Sequence, residues 1–306
     1  MVAFIRNRII FSIPVIIGVS ILVFLMLHAL PGDPVEIMMG NSASADAAAR
    51  VRHQLGLDRP LYIQYGRFVG HALTGDLGRS IRTNQPVMQL IMSQFPSTLQ
   101  LTVAGLGFAI VLGMLLGTIA ATHHRSWIDH SSMVVAVIGV SMPSFWLGFL
   151  FIAFFSLRLG WFPATGQGGL SRLVLPALAL GIGASAVIAR LVRSSMLEVM
   201  RQEYIGVARA KGLRNRAVVY RHGLRNALIP VVTIVGLQFG QLLAGTVIIE
   251  TVFSRQGLGR LTIDAILNKD YPVVQGTILF TAVGYVLVNL LVDILYAFID
   301  PQVRYD

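Results

Sequence analysis

The sequence predicts an all-α integral membrane protein in which six helices cross the bilayer and a small extracytoplasmic insert separates the first two. Three observations carry this. Of 306 residues, 55% are hydrophobic and only 12% charged, against about 25% charged in an ordinary soluble domain. Six apolar runs are each long enough to cross roughly 30 Å of hydrocarbon as a helix of about 20 residues. Lys and Arg are concentrated on alternate loops, as bilayer topology requires.

Spans are expected at 9–30, 99–121, 133–157, 174–192, 228–249 and 277–298. The first follows Arg6 and Arg8 in the manner of a signal peptide. Its apolar run exceeds the roughly 7–15 residues of a signal core, and Leu27-His-Ala29 is a poor cleavage site, so it is read as a retained span. Residues 31–98 form the insert, with a turn at Pro31-Gly-Asp-Pro34, a helix near 45–55 stopping at Gly56 and another at 61–73 stopping at Gly75. Residues 99–300 form a five-span core, interrupted by a basic loop at 193–228, and 301–306 form a tail. Ser141-Met-Pro143 breaks the third span, because proline removes an internal helix hydrogen bond. The segment 250–275, with Gly257-Leu-Gly259 and Asp270-Tyr-Pro272, is turn-rich and expected to cover the extracytoplasmic mouth.

Orientation follows from the short loops. With the N-terminus inside, the cytoplasmic segments hold thirteen Lys and Arg residues and the short outside loops five: Arg158, Arg172, Arg255, Arg260 and Lys269. The insert holds six more, but long loops translocate largely regardless of charge. Both termini are therefore expected in the cytoplasm.

The net charge of +10 does not indicate nucleic acid, since the basic residues lie between apolar runs rather than on one continuous surface. The chain has no cysteine, which excludes disulfides, thiolate nucleophiles and cysteine-ligated metals. No HExxH spacing and no GxxxxGK[ST] phosphate loop occurs. No Ser-His, paired-Asp or histidine cluster lies within the spans. The chain is expected to be no enzyme, to bind no cofactor or metal, and not to hydrolyse ATP itself.

Between positions 190 and 225 stand nine basic residues and only two acids, Glu198 and Glu203. The stretch reads as a helix, a break and a second helix. Glu203 suits the positive end of the first helix dipole and Gly212 is a natural left-handed stop. Asn215 can cap a second short helix running toward Leu224. Ala208 and Ala210 are small enough for the first helix to lie deep in a groove on another protein. Read from residues alone, the stretch serves equally as a basic loop that sets topology.

Ala208-Arg-Ala-Lys-Gly-Leu213 followed by Gly223-Leu-Arg-Asn-Ala-Leu-Ile-Pro230 resembles the cytoplasmic signature of ABC importer permeases, and more narrowly the peptide/nickel/glutathione permease family. Pro31-Gly-Asp-Pro34, Arg193-Ser-Ser-Met196, Gly257-Leu-Gly-Arg260 and Asp270-Tyr-Pro-Val-Val-Gln275 agree with it in order, over nearly the whole chain. The large insert is similar to that of the first of the family's two paired permeases. The chain departs from the general signature in having Gly206-Val-Ala208 where Glu-Ala-Ala leads, and in a longer spacing from Gly212 to Pro230. The resemblance implies a bacterial cytoplasmic-membrane permease working with a second homologous permease, two ATPase subunits that hold ATP and Mg, and an extracytoplasmic solute-binding protein. It implies a short peptide as cargo, with glutathione, nickel chelates and haem as the family's alternatives. It makes 203–213 the coupling helix, with Glu203 near its start, Ala208 and Ala210 in close approach, Arg209 and Lys211 at the groove rim and Gly212 as its stop, and it includes Val207 and Leu213 among the coupling residues.

Polar residues within spans face a bundle interior or water, because leaving them unpaired in lipid is costly. Ser141, Gln238, Gln241 and Asn289 are therefore the candidate lining of a substrate pathway, with interhelical hydrogen bonding as the plainer role. Asp293, near the cytoplasmic end, is expected to pair with a basic residue. Gly113 and Gly117, Gly181 and Ser185, and Gly236 and Gly240 have small-xxx-small spacing suited to close helix packing, the last pair also to a sliding surface between two permeases. Three other readings compete: a secondary transporter or channel, which needs no coupling loop; an intramembrane enzyme, which lacks its catalytic set; and an assembly scaffold.

Overall fold

The computed structural model describes residues 2–29, 46, 49, 50, 53 and 58–299. The turn at 31–34, most of the helix expected at 45–55 and the tail from 301 lie outside them. The described elements are α1 (Val2–Ala29), α2 (Leu61–Leu73), α3 (Val87–Thr122), α4 (Trp127–Ser141), α5 (Ser144–Phe151), α6 (Ser171–Val199), α7 (Glu203–Ala210), α8 (Asn215–Ala217), α9 (Arg225–Val252), α10 (Leu258–Leu267) and α11 (Tyr271–Ile299). Five helical stretches are long and apolar enough to cross a membrane, and α4 with α5 and its continuation to Arg158 counts as a sixth if read as one bent span.

The bend is 102° and proline chemistry explains it. Met142, preceding Pro143, is extended at φ −87°, ψ 126°, the conformation that a following proline ring imposes. α4 closes with Met142 N–H on the Ile138 carbonyl at 3.2 Å. Pro143 then opens α5, its carbonyl accepting from Trp146 at 3.0 Å and Leu147 at 3.1 Å. Beyond Phe151 the helix widens, with Leu159 N–H reaching the Phe154 carbonyl five residues back.

The chain forms two compact units. In the unit built on 97–256 and 288–306, α6 is the central helix: 67% of its most apolar stretch is buried, against 33% for α3 and 39% for the stretch Asn215–Val252. Small residues permit this. A Cβ on Gly113 would meet the Ser185 carbonyl oxygen at 2.7 Å, one on Gly117 the Ala189 oxygen at 2.6 Å, and one on Gly181 would strike the Gly105 carbonyl. Both small-xxx-small pairs therefore lie on the α3–α6 contact, Gly113 opposite Ser185, Gly117 opposite Ala189 and Gly181 opposite Gly105, where association without a hydrophobic driving force depends on close van der Waals packing. Gly236 makes room for Val292 of α11 in the same way, so its smallness is used within the chain.

In the unit built on 5–96 and 257–287, α3 begins at Val87 rather than at 99. Its first turns are interrupted by polar residues such as Gln89, Ser93 and Gln94, yet Val87 and Ile91 are fully buried, and Phe95 lies a further turn on and contacts Phe280 edge-on at 5.3 Å. That spacing of four makes one helix face, packed on Leu258 and Ala265 of α10 and on Val273 and Val274 of α11. The segment expected to be merely turn-rich thus contains a helix. A tight turn at 79–86 precedes α3, with Ser80 N–H on the Gln85 carbonyl at 2.9 Å. It is pinned by the buried Asp270 carboxylate, which accepts from the Ser80 hydroxyl and from Ile81 N–H at 3.0 Å.

Candidate coupling site

The basic stretch folds as a short helix folded back on the start of a long one. Gln202 is extended (φ −69°, ψ 148°) and Glu203 occupies the first turn of α7, where an acidic side chain favours the positive end of the helix dipole. α7 ends at Ala210 rather than at 213. Gly212 adopts φ +78°, its N–H bonds the Arg209 carbonyl at 2.9 Å, and Leu213 N–H reaches back to the Ala208 carbonyl at 3.4 Å. This nested pair of bonds is a Schellman stop, which needs the left-handed residue that glycine adopts without Cβ strain. Nothing lies within 4 Å of where a Gly212 Cβ would stand, so the requirement there is conformational, not steric.

Asn215 does not cap the next helix. Arg214 stands at the capping position with extended backbone and no side-chain capping bond, and Asn215 is the first helical residue. Two residues beyond a left-handed stop, the chain needs an extended residue to redirect it, and Arg214 is that residue. Nor does the helix stop at Leu224. It widens over Val218–Leu224 and runs into α9, so that Asn215–Val252 is one helical stretch of 38 residues.

Burial divides α7 into two faces. Ile205 and Ala208 are buried against Val218, with Met200 beside them, and the Tyr204 hydroxyl accepts from Asn226 Nδ2 at 2.8 Å. Ala208, expected to approach a partner, is thus occupied by this chain's own packing, since residues three apart share a helix face. The exposed face carries Glu203, Val207, Arg209 and Ala210, followed by exposed Lys211 and Leu213. Val207, 54% exposed, is an apolar side chain at the centre of that face.

The four pathway candidates are differently placed. Ser141 is exposed at the end of α4 and its hydroxyl donates to its own helix, on the Val137 carbonyl at 3.0 Å. Gln238 is buried and Gln241 exposed on α9. Asn289 is half-buried, and its buried Oδ1 has no hydrogen-bond partner among the described residues. No hydrogen bond among the described residues joins any of the four to another.

Two charged clusters escaped the sequence reading. Asp129, in the first turn of α4, is buried and held by Arg193 of α6 through Nε–Oδ1 at 2.6 Å and Nη2–Oδ2 at 2.7 Å, with Arg125 N–H at 3.1 Å. The available signal was Ser126 three residues before Asp129, a capping pair, with Ser126 Oγ accepting from Asp129 N–H at 3.3 Å. Beyond the other end of α9, Arg255, counted above as a loop charge, is 2% exposed and donates to the Arg172 carbonyl at 3.3 Å. Burial pushes its pKa down from the usual guanidinium value, and the nearby Glu250 carboxylate pushes back. Glu250 is itself fully buried and accepts from the Thr98 hydroxyl at 2.6 Å. Periodicity cannot reveal either cluster, because the partners are distant in sequence.

Residues 113–305 match the family described as binding-protein-dependent transport system inner membrane component, and residues 1–102 match its N-terminal companion. The glutathione transport system permease protein GsiC of Escherichia coli strain K12 is 46% identical over 305 residues, all of both chains. That of Salmonella paratyphi A is 45% identical over the same extent. Among solved structures, an inward-facing MetNI methionine ABC transporter matches with a TM-score of 0.60 at 20% identity, over 70% of this chain and 97% of that one. An amino acid ABC transporter matches at 0.52 and 17% identity, over 70% and 94%. These structural likenesses concern the fold.

Proposed function

Because the chain belongs to the family of inner membrane components of binding-protein-dependent transport systems, the permeases of ABC importers, we propose that it moves glutathione or a similarly short peptide inward by alternating access driven by separate ATPase subunits. The observation that carries the coupling part is the two-faced helix α7. One face is closed on Val218 and Asn226, while the other offers Val207 flanked by Glu203, Arg209 and Lys211. A helix face with apolar Val207 and Ala210 set amid charges suits a groove with a polar rim.

In this reading both termini and α7 lie in the cytoplasm, and a second homologous permease completes the pathway. Two ATPases, which hold ATP and Mg, sit beneath, and a solute-binding protein delivers cargo from above. ATP binding closes the ATPase pair and draws the docked helices inward, and the cavity changes sides because ATP binds one arrangement better. The choice of glutathione rests on the full-length likeness to permeases of that name.

The test is reconstitution of the permease pair with its ATPases and binding protein in vesicles. ATP-dependent accumulation of glutathione should appear only with all components. Uptake by the purified chain without an ATPase would replace this reading with a secondary carrier. Reporter fusions after Arg214 and after Gly75 should report opposite sides of the membrane, and the same side would refute the topology.

A further inference from the structure

A cleft of about 480 Å³ opens beside the turn that joins α3 to α4. Its polar end holds His124, Arg125, His130 and Arg193, and its wall is formed by Val134, Val137 and Ile138 of α4, which are 46–56% exposed. Asp129 is the sole carboxylate among the lining residues. Its oxygens are already taken by Arg193 and by Arg125 N–H. The Arg125 guanidinium makes no hydrogen bond or ion pair among the described residues. His130 commits Nδ1 to the Ser126 carbonyl at 2.8 Å, and Nε2 makes no hydrogen bond among the described residues. Positive charge without a counter-charge therefore stands at the end of a strip of exposed valine and isoleucine.

We propose that this cleft binds an anionic phospholipid, with the phosphate on Arg125 and His130 and an acyl chain along Val134, Val137 and Ile138. A basic pocket between membrane helices at the cytoplasmic surface attracts anionic head groups, and the apolar wall is where the attached chain must lie. A free anion would leave the wall uncovered, and a plain apolar helix would leave Arg125 unmatched. The assignment rests on the orientation proposed above, which places the α3–α4 turn at the cytoplasmic leaflet. The Arg193–Asp129 pair fixes the floor of the site, so that Arg125 is the cation offered to the lipid.

The experiment is native mass spectrometry of the assembled transporter, taken from nanodiscs of phosphatidylglycerol or of phosphatidylcholine and washed with delipidating detergent. Phosphatidylglycerol should be retained and phosphatidylcholine lost. Arg125→Glu should reduce retention on the order of tenfold, through reversal of one side-chain charge that faces the head group. Val137→Trp, which fills the wall and leaves the cations intact, should reduce it as well. An excess of inorganic phosphate should not displace the lipid. Equal retention of both lipids, retention unmoved by both variants, or displacement by phosphate would overturn the site. So would a photo-crosslink from Val134→benzoylphenylalanine to the second permease instead of to lipid. ATPase stimulation, measured on the same samples in detergent, reports on the coupling proposal separately: its loss with lipid retention intact counts against coupling alone.

Discussion

Arg193 of α6 and Asp129 of α4 meet side-on, the guanidinium presenting Nε and Nη2 to the two carboxylate oxygens at 2.6 and 2.7 Å. This planar fork joins the central helix to the helix that leads into the Pro143 bend. Bidentate geometry makes it stronger than a surface ion pair, although Arg193 is partly exposed.

Asp129→Asn should therefore lower stability by about 2 kcal/mol, the scale of hydrogen bonds to charged groups. The check is the thermal unfolding midpoint in detergent, within a cycle that includes Arg193→Gln. The double variant should lose clearly less than the sum of the single losses, since each single variant strands the other charge. Additive losses would mean that the two residues act independently.

The two faces of α7 separate coupling from folding. Val207→Glu alters an exposed side chain, so stability, read from thermal unfolding, should stay within about 0.5 kcal/mol of the wild type, while ATPase stimulation falls sharply. Ala208→Glu should instead open the contact with Ile205 and Val218, because an unpaired charge is costly to bury. Limited proteolysis of the intact complex should then show new cleavage within 203–214. Normal stimulation by the Val207→Glu transporter would remove α7 from the ATPase interface.

Gly212 tests conformation rather than volume. Gly212→Ala should cost roughly 1 kcal/mol of local stability because of its left-handed backbone, and Gly212→Asn less, since asparagine visits that region more readily. Hydrogen exchange at Gly212 and Leu213 amides reads the loss directly. ATPase stimulation should follow the same order: glycine, then asparagine, then alanine.

Gly113→Ala places a methyl 2.7 Å from the Ser185 carbonyl and 2.8 Å from Ile188 Cβ, and overpacking of this kind costs about 1–3 kcal/mol. The measurement is the thermal midpoint of the purified chain. Gly107→Ala is the control, because nothing lies within 4 Å of its Cβ position.

Asn289→Leu asks whether a polar atom is held for function. Its Oδ1 is buried without a partner among the described residues, a cost that replacement by an apolar group relieves. The variant should be as stable as the wild type or more so, and slower in cargo uptake in reconstituted vesicles. Unchanged uptake would assign Asn289 to packing.

The spans were legible because bilayer thickness imposes a length and apolarity that local composition must satisfy. The break at Pro143 was legible because proline acts on its immediate neighbours. Gly212 was likewise readable as a stop, since the left-handed conformation is a property of one residue. The extension of α3 back to Val87 was not, because its evidence is a spacing of four within polar sequence, completed by α10 and α11. The inward turn of Ala208 was hidden for a similar reason: Val218 lies beyond the loop, and only the folded turn brings it over α7. The burial of charges such as Glu250 and Arg255 is invisible to loop counting, since a count treats every Arg between spans as solvated.

If α7 receives the push proposed above, the stretch Asn215–Val252 would act as a lever. At about 1.5 Å per residue, 38 helical residues reach roughly 57 Å, nearly twice the hydrocarbon thickness. Its wide turns at Val218–Leu224, and Pro230 just beyond them, lie close to the end that bears α7. The longer arm beyond them has no such joint, so a tilt of about 10° about that end would sweep Val252 through on the order of 10 Å, by the same helical rise. Under the proposed coupling, a small push at Tyr204 and Val218 would become by leverage a larger excursion at the distant end, near Glu250 and Arg255. The distance between a helix's pivot and its far end would then set the stroke of the pump.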